Sequence, residues 1–216
     1  MRKKLYIGLS FVFAFIVWTI AVSFFDVQAI GPRESSVGFA TINKFIHQTF
    51  GVNMTLYHIT DWLGLVPIAF MLGFAILGAV QLIKRKKLSQ VDQNLFVLGG
   101  FYIVVLLVYI LFEFIVINRR PILIEGILEA SYPSSTTMLV MTVMPTAIMQ
   151  LNLRIKNIKF KKCINIIICM FIIFMVVGRL VSGVHWFSDI IGGALISTGL
   201  VLLYNYFVKI QIKKHI

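Results

Sequence analysis

Acidic side chains are scarce in this chain: eight Asp and Glu stand among 216 residues, and charged residues of both signs make up only 13%. Soluble domains carry roughly 25%, so a water-soluble globular fold is excluded. Cysteine is nearly absent as well. Cys163 and Cys169 lie six residues apart in one apolar run, on different helix faces. That spacing excludes a disulfide framework and a paired-ligand zinc site, and the two read as packed thiols. Internal repeats, low-complexity tracts and a second domain are also missing, so the chain reads as one domain over 1–216.

What is present is apolar. Hydrophobic residues reach 59% and the mean hydropathy is +0.94. Six runs are long enough to cross a bilayer, at 5–25, 62–83, 95–117, 134–153, 164–178 and 190–208, each near the roughly 20 residues a spanning helix needs. The first follows Arg2-Lys3-Lys4 and precedes Val27-Gln28-Ala29, which resembles a signal cleavage site. Its apolar run of about 21 residues exceeds the roughly 7–15 of a secretory signal, so a retained first span is expected. Within the polar stretch 26–61, Val37, Ile42, Phe45, Ile46 and Phe50 recur like one face of a short helix lying on the membrane surface. The expected fold is therefore all-α: a polytopic membrane protein with six transmembrane helices and a short interfacial helix in the first external loop.

Net charge is +12, but the basic residues fall in short clusters between spans. That pattern orients helices against anionic lipid and does not build a nucleic-acid surface. Fifteen of the twenty Lys and Arg lie on the side of the termini, and Arg33, Lys44, Arg119, Arg120 and Arg179 on the other. The termini are thus expected in the cytoplasm. The partners implied are the bilayer and a membrane lipid, with no obligate protein partner inferred.

Chemistry concentrates on the sparsely charged outer side. Arg179, His185 and Asp189 cluster at the mouth of the last span, and ionisable groups in such surroundings mark a site. One helical turn separates His185 from Asp189. A carboxylate on one imidazole nitrogen leaves the other free as a nucleophile or base, although the same triplet also suits a structural ion pair. In the six-span topology the 3–4 and 5–6 connections open on one face, so Arg120 and Arg179 can converge with His185. The start of the fourth span at Pro133-Ser134-Ser135 adds free backbone amides there, and Ser134 is an ordinary N-cap besides. Two arginines, a helix start and an Asp-oriented histidine describe a phosphate pocket. His47 and His58 have no partner at ligand spacing and read as loop or interfacial residues.

Arg120-Pro121, Pro133-Ser134 and Arg179-x5-His185-x3-Asp189 resemble the three signature motifs of the type-2 phosphatidic acid phosphatase and haloperoxidase superfamily, K-x6-R-P, P-S-G-H and S-R-x5-H-x3-D. The resemblance runs from about residue 60 to 208. It implies that His185 attacks phosphorus to form a phosphohistidine, that Asp189 orients it, and that Arg120, Arg179, Ser134 and the amide of Ser135 hold the phosphoryl oxygens. No cofactor and no metal is implied.

The motifs depart from the family at four positions. Glu113 stands where the lysine would be, Gly178 replaces the serine, Ser135 the glycine, and Thr136 the histidine that would protonate the leaving group. Losing such an acid costs about 10²–10⁴ in rate. An alkoxide is about as basic as hydroxide, so it needs a proton to leave. A departing phosphate, with a second pKa of about 6, can leave without a proton. The expected substrate is therefore a lipid diphosphate, of the polyprenyl diphosphate type. Glu129 or Glu125 could supply the acid instead, and Glu113 is expected to pair with Arg119 or Arg120. Three other readings remain: a pseudoenzyme that binds phosphorylated lipid, a lipid phosphotransferase, and a transporter, the last disfavoured because the ionisable groups sit at helix mouths.

Overall fold

A computed structural model describes residues 2–214, with side chains to residue 210; Met1 and the side chains of the basic tail, Lys213 and Lys214, lie outside the described residues. Among these residues the fold is all-α. The helices are α1 (Arg2–Phe24), α2 (Ala40–Phe50), α3 (Met54–Leu63), α4 (Leu65–Arg85), α5 (Gln93–Phe114), α6 (Ser135–Arg154), α7 (Ile158–Val181) and α8 (Phe187–Lys214). Six helical segments are long and apolar enough to cross a membrane, because α3 and α4 run on as one unit, Met54–Arg85. The second span therefore begins well before Trp62, where hydropathy placed it. Asn53 starts it by accepting a hydrogen bond from Leu56 N at 2.9 Å, an N-cap of the usual kind.

Helices α6 and α8 form the inside of the bundle. Half of the α6 span and 56% of the α8 span are buried, against 6% for Met54–Arg85. Met138, Val143 and Ala147 of α6 pack with Ile196, Leu200 and Tyr204 of α8, joined by Phe15 and Val22 of α1 and by Leu98, Tyr102 and Val105 of α5. The outer helices leave Ile103, Leu107, Met170 and Ile173 exposed, as lipid-facing surfaces require.

The first helix is part of this core. A Cβ at Gly199 would come within 2.8 Å of Val12 Cγ2, so the glycine lets α1 and α8 approach closely. Farther along, the Thr19 and Tyr132 hydroxyls are 2.7 Å apart and Trp18 Nε1 donates to Ser188 O at 3.1 Å. These bonds tie α1 to the 3–4 connection and to the first turn of α8.

The expected amphipathic helix forms as α2, with a different orientation of its residues. Ile42, Phe45 and Phe50 face outward, but Val37 precedes the helix and is fully buried, bridged to Gln28. The inward face of α2 is held by a polar residue, Asn43, which is also fully buried. At the opposite end of the bundle Asp92 receives Gln81 Nε2 at 2.8 Å and pairs with Arg85 at 3.2 Å and Arg154 at 3.8 Å. That network links α4 and α6 at the start of α5.

Candidate active site

The 3–4 connection doubles back on itself. Glu125 and Gly126 both have positive φ, and Ile127 N donates to Ile124 O at 2.8 Å, a two-residue hairpin turn of the I′ kind. Arg120 N bonds Glu129 O and Ser131 N bonds Asn118 O, each at 3.0 Å. The excursion therefore returns Glu129 and Ser131 to the side of Arg120. Glu125, a candidate acid by sequence, is carried to the exposed tip of the turn.

Arg120 is buried. Its Nε lies 2.9 Å from Glu129 Oε2, and its Nη1 has no partner. Glu113, expected to pair with Arg119 or Arg120, pairs with neither. Arg119 points outward and donates to Leu128 O at 2.9 Å, while Glu129 has taken Arg120 because the hairpin delivers it there. The contact is an ion pair without hydrogen-bond geometry, since Arg120 Nε makes no hydrogen bond.

Arg179, only 1% exposed, ends α7. Its Nη1 lies 3.5 Å from Asp61 Oδ1 and 3.4 Å from Thr60 Oγ1, and its guanidinium stands 5.1 Å from the Tyr57 ring centre. Its Nε has no partner. All three neighbours come from one face of α3, at i, i+3 and i+4.

His185 follows a turn that only glycine can make. Gly183 has φ +69°, and a Cβ there would fall 2.1 Å from Gly51 O. The imidazole is 3% exposed; neither ring nitrogen has a hydrogen bond of good geometry, although the Ser131 backbone interacts with the ring. Burial, reinforced by the positive charges of Arg120 and Arg179, holds its pKa well below the ordinary value near 6.5. The ring is therefore neutral at pH 7, the form in which an imidazole is a nucleophile. Arg120 lines the same cavity as the ring.

Asp189 is fully buried, but its nearest carboxylate oxygen stands 3.8 Å from His185 Nδ1, beyond hydrogen-bond reach. Its oxygens are taken by other donors. Asn118 Nδ2 reaches Oδ1 at 3.0 Å and Trp186 N reaches Oδ2 at 3.0 Å. Asn118 also donates to Ser188 Oγ at 3.2 Å and accepts from Gly38 N at 3.2 Å. Asn43 of α2 closes the network, donating to Ser188 Oγ at 2.9 Å and accepting from Ser188 N at 3.0 Å. The interfacial helix thus buttresses the third motif from behind. Asn118 and Asn43 were missed by sequence reasoning; the only signal was an amide one residue before the arginine pair.

Ser134 caps α6, accepting from Thr137 N at 3.4 Å, and its own N–H donates to Asp189 O at 3.0 Å. The side chain is thus used by the helix and the backbone by the third motif. A cavity of about 340 Å³ opens onto His185, lined also by Arg120, Glu113, Glu129, Ser135 and Tyr109. Beside it an apolar groove of about 560 Å³ runs between α4, α5 and α6, sharing Tyr109, Ser135 and Met138 with the cavity. Thr136 and Asp61 line the groove. His47 lies outside both, its ring 5.4 Å from that of Trp186.

Comparison with known proteins bears on the family and the fold. The sequence profile described as the PAP2 superfamily matches residues 68–213. No curated protein matches the chain in sequence. Among solved structures, the fold is similar to a transmembrane PAP2-type phosphatidylglycerolphosphate phosphatase from Bacillus subtilis. The TM-score is 0.59 at 21% identity, over 94% of this chain and 96% of that one.

Proposed function

Because the chain belongs to the PAP2 superfamily, we propose that it is a membrane lipid phosphatase in which His185 is the nucleophile. One observation carries this reading: a buried, neutral imidazole with no well-formed hydrogen bond faces a cavity that Arg120 also lines. The unpartnered Nη1 of Arg120 and Nε of Arg179 are the donors a phosphoryl group would satisfy. Fixed charges of this kind stabilise a phosphoryl in transfer without reorganisation. His185 attacks phosphorus, the bond to the lipid oxygen breaks, and water then hydrolyses the phosphohistidine. Asp189, anchored by Asn118 and Trp186, supplies the negative charge behind the ring.

The substrate follows from what stands at position 136. Thr136 cannot protonate a leaving group at neutral pH, and it lines the groove, not the His185 cavity. The missing acid is equivalent to about 3–5 kcal/mol of barrier, which a weakly basic leaving group does not need. A lipid diphosphate of the polyprenyl type fits, its chain lying in the apolar groove between α4, α5 and α6. The charge bias of the loops supports cytoplasmic termini and a site on the outer face.

A second reading, a binder of phosphorylated lipid that does not cleave it, is favoured by one observation: each arginine already faces a carboxylate. Phosphate release by detergent-purified protein separates the two, with farnesyl diphosphate and phosphatidic acid offered side by side and His185→Ala as control. Release from the diphosphate, abolished in the variant, is the expected result. Lipid binding without release by the native protein overturns the phosphatase.

A further inference from the structure

The family histidine missing at Thr136 would have two tasks: to protonate the leaving group and then to take a proton from the attacking water. A diphosphate substrate removes the first task and leaves the second. If His185 is the nucleophile, as proposed above, hydrolysis of its phosphoryl adduct still requires a proton acceptor opposite the ring. In-line displacement places incoming and departing oxygens on the side of phosphorus away from the nitrogen.

Three carboxylates face the cavity and the groove, and the structure separates them: Glu113 lines the His185 cavity, on the nucleophile's own side. Glu129 lines the His185 cavity, on the nucleophile's own side, and is bound at 2.9 Å by Arg120 Nε. Asp61 lines the groove together with Thr136 and Ser135, the side into which a lipid leaving group withdraws. Asp61 is held 3.5 Å from Arg179 Nη1, so the guanidinium that grips the phosphoryl also carries this carboxylate. Its side chain remains 55% exposed, and a proton taken there can pass on to water.

Gly178 explains how Asp61 comes to be there. A Cβ at this position would lie 2.8 Å from Thr60 Cγ2. The glycine standing in place of the motif's serine therefore permits α3 to close on α7. That approach sets Tyr57, Thr60 and Asp61 against Arg179. Two departures from the family pattern, at 136 and at 178, then have one structural consequence.

We propose that Asp61 is the general base for hydrolysis of the phosphohistidine, doing from α3 what Thr136 cannot. A water oxygen attacks phosphorus from the groove side and one of its protons passes to the Asp61 carboxylate. The phosphorus–nitrogen bond breaks, its electron pair returns to His185, and inorganic phosphate departs. Asp61 then releases its proton to solvent.

The test is rapid-quench labelling of the full chain in detergent with farnesyl diphosphate carrying ³²P in its terminal phosphate. Asp61→Asn should form acid-labile phosphoenzyme in a stoichiometric burst. Its steady turnover should then run about 10²-fold or more below native, with KM no higher. Adding Thr136→His to that variant should restore part of the turnover. Unchanged turnover in Asp61→Asn, or slow turnover without label, overturns the assignment. Label that accumulates in Glu129→Gln but not in Asp61→Asn gives the role to Glu129 and overturns it too. Should Asp61→Asn fail to fold, Asp61→Glu keeps the charge opposite Arg179 but displaces the acceptor. It should still accumulate label, and native behaviour there counts against the proposal. A native protein that takes no label and releases no phosphate ends the phosphatase reading itself, a result distinct from failure of Asp61 alone.

Discussion

Asn118→Ala removes the amide that joins the 3–4 connection to the third motif. Its Nδ2 donates to Asp189 Oδ1 at 3.0 Å and to Ser188 Oγ at 3.2 Å, and its Oδ1 accepts from Gly38 N at 3.2 Å. The side chains involved are at most 1% exposed, so water cannot take over these bonds. A hydrogen bond to a charged acceptor contributes about 1.5–3 kcal/mol, and a buried donor left alone costs about 1–3 kcal/mol. Together they give an expected loss of roughly 3–5 kcal/mol in unfolding free energy, measured by denaturant titration in mild detergent. Pairing the change with Asp189→Asn in a double-mutant cycle isolates the bond itself, and a coupling of about 1–3 kcal/mol is expected. Phosphate release should fall as well, since Asp189 loses one of its anchors. A loss below about 0.5 kcal/mol, the range of ordinary surface changes, or a cycle that is simply additive, would refute this account of how Asp189 is held.

Three further changes probe the site. His185 has a folded pKa well below its unfolded value of about 6.5, so kcat/KM should stay level as pH falls through 6.5 and break only well below it. The stability this group contributes is present above pH ~6.5 and lost as pH falls toward the folded pKa, because the unfolded chain binds the proton first; His185→Gln should flatten that dependence in unfolding titrations. Gly183→Ala sets a Cβ 2.1 Å from Gly51 O at φ +69° and should lower both thermal stability and turnover; native values would show that the loop relaxes freely. Thr136→His should extend phosphate release to phosphatidic acid by about 10²-fold or more, and no gain on the monoester would refute the leaving-group argument.

The six spans could be read directly from the residues, because hydropathy is a local property. The Ser134 cap was legible for a related reason, since capping is set by residues three apart. The partners of the other site residues were not. Glu113 precedes Arg120 by two helical turns in sequence, yet Glu129 occupies the guanidinium because a turn at Glu125-Gly126 reverses the chain. Asn43 meets Ser188 across 145 residues, and Thr60 meets Arg179 across 119. No periodicity encodes such pairs.

The sequence alone determined that this chain has six segments able to span a membrane, with charges gathered at the helix mouths. Apolar runs must be buried in lipid, and charges must stay at its edge. Tertiary structure decided which charge faces which. It drew α3 onto α7 over Gly178, put Asp61 on Arg179 and Glu129 on Arg120, and buried His185 beside the second pair. The physical reason is that buried polar groups are satisfied by whatever the packed backbone brings within about 3 Å. That distance is set by the whole fold.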